Sequence, residues 1–373
     1  MKWSVFLFLA PAIFISRVYS QAHIEPATLA IGKAAPDFNL KGVDGKYYSL
    51  KDFSKAEVLV IIFSCNHCPT AQAYEQRIID VERDYRSKKV QVVMISPNSP
   101  KAVSLSELGY TDMGDTYEEM KIRAGERSFS FPYLYDGDEQ KTALAYGPVA
   151  TPHCFVFDKN RILRFAGRVD SSEKPGTAHG EDLRAAIDAV LAGQNVNPAT
   201  TKVFGCSIKW SWKDESVQRI YKQWAELPVT LDEIDDTGIK DLVRNSSDKL
   251  RLVNFWATWC GPCVTEFPDL VEIDRMYRGR PFEFITVSAD KPEKKTEVLT
   301  FLKEQQASNK NFIYKNSNVY DMIEAVDPDW QGGLPYTMII EPGGKIVYKG
   351  QNTIEPHEIK KLIVENKYIG RYY

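Results

Sequence analysis

The sequence lacks an excess of charge of either sign. Its 373 residues include 47 Lys and Arg against 50 Asp and Glu, which gives a formal net charge of −3. Nucleic-acid binding depends on a basic patch or stripe that neutralises phosphates, and the sequence has no block of basic residues. The charge pattern therefore excludes nucleic acid as the expected partner.

The sequence also lacks a run of roughly 20 apolar residues, the length that a membrane-spanning helix requires. One shorter apolar stretch, residues 5–15, follows Lys2 and precedes the small residues Ser20 and Ala22. This pattern is typical of a secretory signal peptide. We expect residues 1–22 to be removed on export to the periplasm or the outside of the cell, which leaves no stable membrane span. A retained membrane anchor is the alternative.

The rest of the chain has an ordinary globular composition, with 43% hydrophobic and 26% charged residues. Its length suits two domains, which we expect at residues 23–194 and 227–373, joined by a linker at 195–226. In each domain, apolar runs typical of buried strands alternate with helical patterns. This alternation predicts an α/β fold with a central sheet flanked by helices.

Cysteine is scarce, with six in the chain, but four of the six form two Cys-x-x-Cys pairs, Cys65 with Cys68 and Cys260 with Cys263. Such short loops constrain an unfolded chain little, so we expect redox chemistry or metal binding from them. A zinc site needs four ligands, and no second pair lies at finger-like spacing. The redox interpretation is favoured, with no metal and no dissociable cofactor, because the cysteines themselves carry the electrons.

Each pair stands where a predicted strand ends and a predicted helix begins. Unpaired N–H groups and the macrodipole at a helix N-terminus stabilise a thiolate, and a thiolate is the nucleophile in disulfide exchange. We therefore expect Cys65 and Cys260 to attack and Cys68 and Cys263 to resolve the mixed disulfide.

The run Trp259-Cys260-Gly261-Pro262-Cys263 is similar to the thioredoxin active site. Together with Glu266, it resembles the exported thioredoxin-like disulfide reductases of the TlpA-like type. The resemblance implies a cis-proline opposite the cysteine pair, at Pro335, and a proton acceptor for Cys263, at Glu266. A solvent-exposed Glu266 on the helix surface is the alternative.

Residues 31–210 resemble the redoxin domain of the AhpC/TSA superfamily, which includes the peroxiredoxins. The resemblance rests on the Cys65–Cys68 pair, on Pro152 as a second cis-proline and on the runs at 165–170 and 205–210. It implies two tandem thioredoxin-like folds. The His67 that precedes the second cysteine is typical of oxidising or isomerising members, in which an imidazole stabilises the reduced form.

Peroxidase activity has less support. Peroxiredoxins use a Pro-x-x-x-Thr-x-x-Cys motif, and counting back from Cys68 places Cys65 at the Thr position and Ile61 at the Pro position. Arg168 could still supply a positioned cation.

The sequence thus predicts an exported thiol–disulfide oxidoreductase that acts on protein disulfides or dithiols through both pairs, supplied by a membrane electron donor. A thiol-dependent peroxidase and a copper or zinc chaperone, with Cys65, His67 and Cys68 as ligands, are the alternatives. Two cysteines stay open: Cys154 as a buried strand residue or a third redox partner, and Cys206 as a packed free thiol, a partner of a first-domain cysteine or an electron relay.

Overall fold

The structure is a computed structural model that describes residues 25–316 and 318–372. The expected signal peptide, residues 1–22, lies outside the described residues. No helix within residues 25–316 and 318–372 combines the length and the apolar character that crossing a membrane requires.

The first half is built around a seven-stranded sheet in the order β2-β1-β5-β4-β3-β7-β8. Its central strand β3 is an uninterrupted apolar run in which every residue is buried, as expected where helices cover both faces. β3 pairs in parallel with β4 and antiparallel with β7. The strands are β1 (Leu40–Gly42), β2 (Tyr47–Tyr48), β3 (Val58–Phe63), β4 (Val90–Ser96), β5 (Tyr133–Tyr135), β6 (Ala150–Thr151), β7 (His153–Phe157), β8 (Leu163–Gly167) and β9 (Cys206–Ser207), and the helices are α1 (Pro69–Tyr85), α2 (Tyr117–Glu126), α3 (Lys141–Tyr146) and α4 (Glu181–Leu191).

The second half repeats the plan with a six-stranded sheet in the order β10-β13-β12-β11-β14-β15. Its central strand β11 is also fully buried and pairs in parallel with β12 and antiparallel with β14. The helices are α5 (Asp214–Ala225), α6 (Asp236–Arg244), α7 (Gly261–Tyr277), α8 (Lys295–Glu304), α9 (Val319–Val326) and α10 (Pro356–Glu365), and the strands are β10 (Asp232–Ile234), β11 (Leu250–Trp256), β12 (Phe282–Ser288), β13 (Lys310–Tyr314), β14 (Tyr336–Ile340) and β15 (Ile346–Gln351).

The segment expected to be a linker is partly integrated into the first domain. Its β9 pairs antiparallel with β6, and the buried side chains of Ile208 and Trp210 join the same apolar cluster as Phe63 on β3. These contacts remove apolar surface from water, which stabilises the attachment. The domain limits at 23–194 and 227–373 remain predictions, but residues through Trp210 pack as part of the first fold.

The two halves share buried contacts. A short 3₁₀ helix, Leu105–Leu108, belongs to the first half, yet Leu108 packs in the apolar core of the second. The Tyr277 hydroxyl at the end of α7 donates to the Thr111 carbonyl at 2.7 Å. Near the C-terminus, Arg371 pairs with the buried Asp112 at 2.9 Å. The expected arrangement of two tandem thioredoxin-like folds is confirmed, and they are joined by a packed interface.

Candidate active sites

The second-domain site lies where β11 ends and α7 begins. Cys260 is the N-cap residue of α7, and its sulfur accepts a hydrogen bond from the Cys263 backbone N–H at 3.3 Å. Cys260 and Cys263 are joined in a disulfide. The expected position of Cys260 at a helix N-terminus is therefore present, with the helix dipole directed at its sulfur.

The rim of this site faces solvent, whereas Cys260 is 6% exposed and Cys263 is fully buried. Trp259 is 70% exposed, and Gly261 and Pro262 are exposed beside it. The preceding loop is held rigidly, because Asp290 accepts hydrogen bonds from the Thr258 backbone N–H at 2.8 Å and from its hydroxyl at 2.7 Å. A protein substrate can therefore reach the rim of the disulfide without a change in the loop.

Glu266 lies beneath the second site and is buried, so the surface alternative is wrong. Its carboxylate accepts hydrogen bonds from the Asn254 amide at 3.1 Å and from the Ile354 backbone N–H at 2.8 Å. Burial raises the pKa of Glu266 to about 7, although these two hydrogen bonds oppose the shift. Three residues apart on one helix, Cys263 and Glu266 share a face, and a carboxyl with this pKa can exchange protons near neutrality.

The Leu334–Pro335 peptide bond is cis, as the resemblance implies. Leu334 packs against the apolar cluster that contains Cys260 and Cys263, which puts the proline loop beside the cysteine pair. The loop is supported by the buried Trp330, whose indole N–H donates to the Gly333 carbonyl at 2.9 Å.

The first-domain site departs from the expected geometry at its helix. α1 begins at Pro69, so the N-cap residue is Cys68, whose sulfur accepts from the Ala71 backbone N–H at 3.5 Å. Cys65, the expected attacking thiolate, therefore does not occupy the helix N-terminus. Cys65 lies three residues earlier, in the loop that leaves β3.

The strand registers explain the difference between the two sites. Phe63 on β3 pairs with the residue after Pro152, and Phe255 on β11 pairs with the residue after Pro335. Phe63 and Phe255 are therefore equivalent, and five residues after each comes a cysteine: Cys68 in one domain and Cys260 in the other. The helices that follow are both 17 residues long.

By the same registers, Cys65 corresponds to Ala257, and Ala71 corresponds to Cys263. Each domain thus has one cysteine at the helix N-cap, but the partner cysteine lies on opposite sides of it along the chain in the two domains. In the second domain the partner lies inside the helix, whereas in the first it lies in the loop before the helix.

Cys68 is the thiol that the first site favours in its charged form. Burial alone would raise the pKa of Cys68, but hydrogen bonds from the thiols of Cys206 and Cys65 and the charge of His67 outweigh burial and hold it well below its ordinary value. Burial, by contrast, raises the pKa of Cys65 well above its ordinary value. Electrostatics and helix geometry therefore both assign thiolate character to Cys68.

His67 belongs to this site through Asp115. The two side chains are buried, and His67 Nδ1 donates to Asp115 Oδ2 at 2.6 Å. Burial would lower the pKa of His67, but the Asp115 carboxylate outweighs burial and raises it. Asp115 also accepts from the backbone N–H groups of Asn66 and His67 at 2.8 and 3.0 Å, as Asp290 does in the second domain.

The cis-proline loop of the first domain contacts both cysteines of the pair. The Thr151–Pro152 bond is cis. The Thr151 hydroxyl lies 3.1 Å from the Cys65 sulfur, and the Cys68 thiol lies 3.6 Å from the Thr151 carbonyl. Pro152 is thus placed as the resemblance implies, next to the cysteine pair.

The two remaining cysteines, Cys154 and Cys206, lie in different environments. Cys154 is fully buried on β7, paired in register with Gly167. Cys206 packs beside Cys65 and Cys68 and is only partly buried. Its thiol donates to Cys68, and this hydrogen bond, together with burial, raises the pKa of Cys206.

Arg168, the cation considered for peroxide binding, is paired with a carboxylate. Arg168 donates from Nε to Asp182 at 2.6 Å, and within residues 25–316 and 318–372 it has no hydrogen bond to a cysteine. The peroxidase alternative therefore gains no support from Arg168.

Sequence reasoning missed two partners of the first site, Asp115 and Thr151. Both are distant from Cys68 in sequence and reach it only through the fold; no local motif marks Asp115, whereas Thr151 directly precedes the expected cis-proline, Pro152. The helix start did have a local signal, because proline is favoured in the first turn of a helix and Pro69 follows Cys68 directly.

Comparison with known proteins places these sites in context. A model of the AhpC/TSA family matches residues 31–166 and 225–349, which together are more than half of the chain. The thiol-disulfide oxidoreductase ResA of Bacillus cereus is 30% identical over 147 residues, which cover 39% of this chain and 78% of that protein. The ResA of Bacillus subtilis (strain 168) is 32% identical over 115 residues, covering 31% and 60%. An uncharacterized conserved protein from Geobacillus kaustophilus, with a solved structure, is 35% identical, with a TM-score of 0.44 and coverage of 50% of this chain and 96% of that one.

Proposed function

Since the chain belongs to the AhpC/TSA family and is a thiol–disulfide oxidoreductase, we propose that it exchanges disulfides with protein substrates outside the cytoplasm, at Cys260 and Cys263. The observation that carries the proposal is the position of this pair at a solvent-facing helix N-terminus beside the cis-proline loop. Cys260 is the attacking thiolate and Cys263 resolves the mixed disulfide.

Glu266 is the proton acceptor in the proposed exchange. When Cys263 attacks the mixed disulfide it must lose its proton, and Glu266 on the same helix face is the acceptor. Its buried carboxyl, with a pKa raised to about 7, accepts the proton without leaving a strongly disfavoured buried charge.

In the first domain, the proposed reactive thiolate is Cys68, supported by His67 and Asp115. An imidazolium next to a thiolate stabilises the reduced form and so raises the reduction potential. The two domains would then be poised differently, with the first the more oxidising. As a reductase outside the cytoplasm lacks the cytosolic thiol pool, the proposal includes a membrane electron donor.

The test is reduction of a model protein disulfide, such as that of insulin, by the purified chain with dithiothreitol as reductant. In a Cys68→Ser background, in which the first pair cannot turn over, Cys260→Ser should lower the rate by about 1,000-fold or more, because the nucleophile is lost. Cys154→Ala, which removes a buried thiol away from both sites, is the matched control and should retain the rate. An unchanged rate on adding Cys260→Ser to that background would contradict the proposal.

Metal binding is a second candidate, favoured by one specific cluster. Ligand atoms of Cys65, His67 and Asp115 all lie within 4.8 Å of one another, and the three residues are buried. Thiolate, imidazole and carboxylate together suit Zn²⁺. The test is equilibration of the reduced chain with Zn²⁺ and measurement of the retained metal. Retention of one equivalent of Zn²⁺ by the wild type, and its loss in His67→Gln, would support this candidate. Retention below about one-tenth of an equivalent by the wild type would exclude it.

A further inference from the structure

The segment around Cys206 occupies a backbone edge next to the first-domain cysteines. β9 pairs antiparallel with β6, and Cys206 lies directly opposite Thr151, the residue before cis-Pro152. The close approach depends on Gly205, which has φ of +138° and whose missing Cβ would lie 2.0 Å from the Thr151 carbonyl oxygen. Only glycine fits this conformation and this distance.

The same edge of the second domain has no such partner. Residues 333–334 precede Pro335 as residues 150–151 precede Pro152, and no strand among the described residues pairs with 333–334. An unpaired strand edge is a ready template for an extended peptide, which adds to it through main-chain hydrogen bonds. In the first domain the chain's own residues 206–207 hold the place that such a peptide would take.

We infer that the Cys206 segment is a built-in substrate of the first domain, and that Cys206 forms a disulfide with Cys68 and is the thiol through which that domain exchanges electrons with client proteins. The inference deepens the proposed function and rests on it. Residues 204–208 place a cysteine opposite the cis-proline loop, and the Cys206 and Cys68 thiols are in contact.

Burial supports this assignment. Cys65 is 3% exposed and Cys68 is fully buried, so Cys206 is the most accessible sulfur of the first site. Cys206 is partly exposed and touches both the solvent and Cys68. A disulfide can therefore reach Cys68 through Cys206 without opening of the site.

The Cys206 segment is fixed in place by the site itself. The Lys209 backbone N–H donates to Asn98 Oδ1 at 2.9 Å, and Asn98 Nδ2 donates to Asp115 Oδ2 at 2.7 Å. The same Asp115 oxygen accepts from His67. The backbone that carries Cys206 and the imidazole that stabilises the Cys68 thiolate thus share one hydrogen-bond network, anchored further by the buried Trp210.

The exchange is balanced as two thiolate attacks. A client thiolate attacks Sγ of Cys206 in the Cys68–Cys206 disulfide; the client–Cys206 bond forms, the Cys68–Cys206 bond breaks, and Cys68 leaves as a thiolate. A second client thiolate attacks the client sulfur of the mixed disulfide, so the client disulfide forms and Cys206 leaves and takes up one of the two client protons. The other proton goes to solvent. The client dithiol loses two electrons and Cys68 and Cys206 gain them; the reverse sequence reduces a client disulfide.

The chemistry favours this order of bond breaking. The better leaving group in disulfide exchange is the thiol whose thiolate is better stabilised, and Cys68 caps α1 and accepts a hydrogen bond from the Ala71 backbone N–H at 3.5 Å, whereas Cys206 lies on the short strand β9. Attack on the accessible Cys206 sulfur therefore releases the better thiolate, Cys68.

The experiment is disulfide mapping of the full chain after equilibration with oxidised and reduced glutathione, acid quenching, alkylation with N-ethylmaleimide and tryptic digestion. Cys206 lies alone in the tryptic peptide 203–209, whereas Cys65 and Cys68 share another. We expect peptide 203–209 linked to the second peptide, with fragmentation that assigns the bond to Cys68. The link should persist in Cys65→Ser and disappear in Cys68→Ser. Alkylated Cys206 under every condition, with only a Cys65–Cys68 disulfide, would overturn the inference.

A backbone variant tests the built-in geometry. Gly205→Ala should lower the yield of the Cys68–Cys206 link by about 10-fold or more, because the added Cβ displaces the segment and misplaces the sulfur. Gly125→Ala, where an added Cβ meets nothing within 4 Å, is the matched control and should retain the link; an equal yield in both variants would contradict the role of Gly205. The Cys68–Cys206 link is also expected in the double variant Cys260→Ser/Cys263→Ser. Its absence both there and in the wild type would refute this inference. The insulin assay of Cys260→Ser tests the proposed function independently of that result.

Discussion

The two domains place a cysteine at the same point of the same scaffold and surround it differently. Cys68 and Cys260 both cap a 17-residue helix, and the loop before each is fixed by a carboxylate, Asp115 or Asp290. Around Cys260 the surface is open, with Trp259 70% exposed. Around Cys68 the substrate edge is covered by the chain's own β9.

The difference shows that the scaffold fixes where a thiolate forms, and that the neighbouring residues decide what it exchanges with. The second site has its partner cysteine inside the helix and a buried carboxyl, Glu266, to handle the proton. The first has an imidazole–carboxylate pair, His67 and Asp115, and two further thiols, Cys65 and Cys206, in contact with the capping cysteine. The comparison predicts an open site that acts on clients directly and a covered site that acts through Cys206.

Among changes that leave the cysteines in place, the largest expected effect concerns the proton acceptor of the open site. Glu266→Gln should lower the rate of client disulfide reduction at pH 8 by about 100-fold, the usual contribution of a positioned acid–base group. The rate of the wild type should rise as the pH passes through about 7, where Glu266 becomes able to accept the Cys263 proton, and the variant should lose this rise. Rates from pH 5.5 to pH 9 provide the measurement, with pH values chosen to bracket that titration.

Glu304→Gln, which replaces an exposed carboxyl of the same domain, is the control and should keep the wild-type profile. A separate readout is stability. In the folded state Glu266 keeps its proton up to about pH 7, whereas in the unfolded chain it loses the proton near the ordinary pKa of a glutamate. The free energy of unfolding of the wild type should therefore fall as the pH rises from that ordinary pKa to about 7, by at most about 3 kcal/mol. A variant with the wild-type pH–rate profile would contradict the assigned role.

A smaller effect is expected at the covered site from His67→Gln. Loss of the imidazolium should raise the pKa of Cys68 by about 1–2 units, and the reduced form of the Cys68 couple should be less stable. Its reduction potential should then fall by about 30–60 mV. Thiolate absorbance at 240 nm and redox titration measure the two changes.

His179→Gln, which replaces an exposed histidine of the same domain, should change neither quantity. If His67→Gln left the pKa of Cys68 and its potential unaltered, the imidazole would have no part in stabilising the thiolate, and the asymmetry between the two sites would need another cause.

The smallest effect is expected at the rim of the open site. Trp259→Ala should raise KM for a protein substrate by about 10-fold with little change in kcat, because the exposed indole can add client contacts without touching the reacting sulfurs. Stability should change by less than about 0.5 kcal/mol. Steady-state kinetics and thermal unfolding check both, and Tyr320→Ala, also largely exposed in this domain, is the control. A fall in kcat with KM unchanged would count against client binding by Trp259.

Much of this organisation could be predicted from local sequence. The apolar runs of β3 and β11 and the apolar character of the strands around them predicted two sheets, and the motif around Cys260 predicted the helix start there because Pro262 lies in its first turn. The domain fold, the family and the enzyme class are confirmed, whereas the catalytic roles of individual residues stay proposals.

The first site resisted prediction for physical reasons. A Cys-x-x-Cys spacing does not say which cysteine caps the helix, and the register of β3 against β7 decides that it is Cys68. The contacts of Asp115 and Cys206 depend on tertiary folding across 48 and more residues. The expected linker gave little sign that it would pair with the proline loop, since β9 is only two residues long.

The most direct test of the difference between the two sites is to identify the cysteine that captures a protein client in each domain. The reduced full chain carrying Cys263→Ser or Cys68→Ser is mixed with a disulfide-containing client, quenched, and mapped by mass spectrometry. We predict a mixed disulfide at Cys260 in the first variant and at Cys206 in the second, and no capture by the first domain in Cys206→Ser. A client bound to Cys65 or Cys68 in Cys206→Ser would show that the first site opens to clients by itself and would contradict the account.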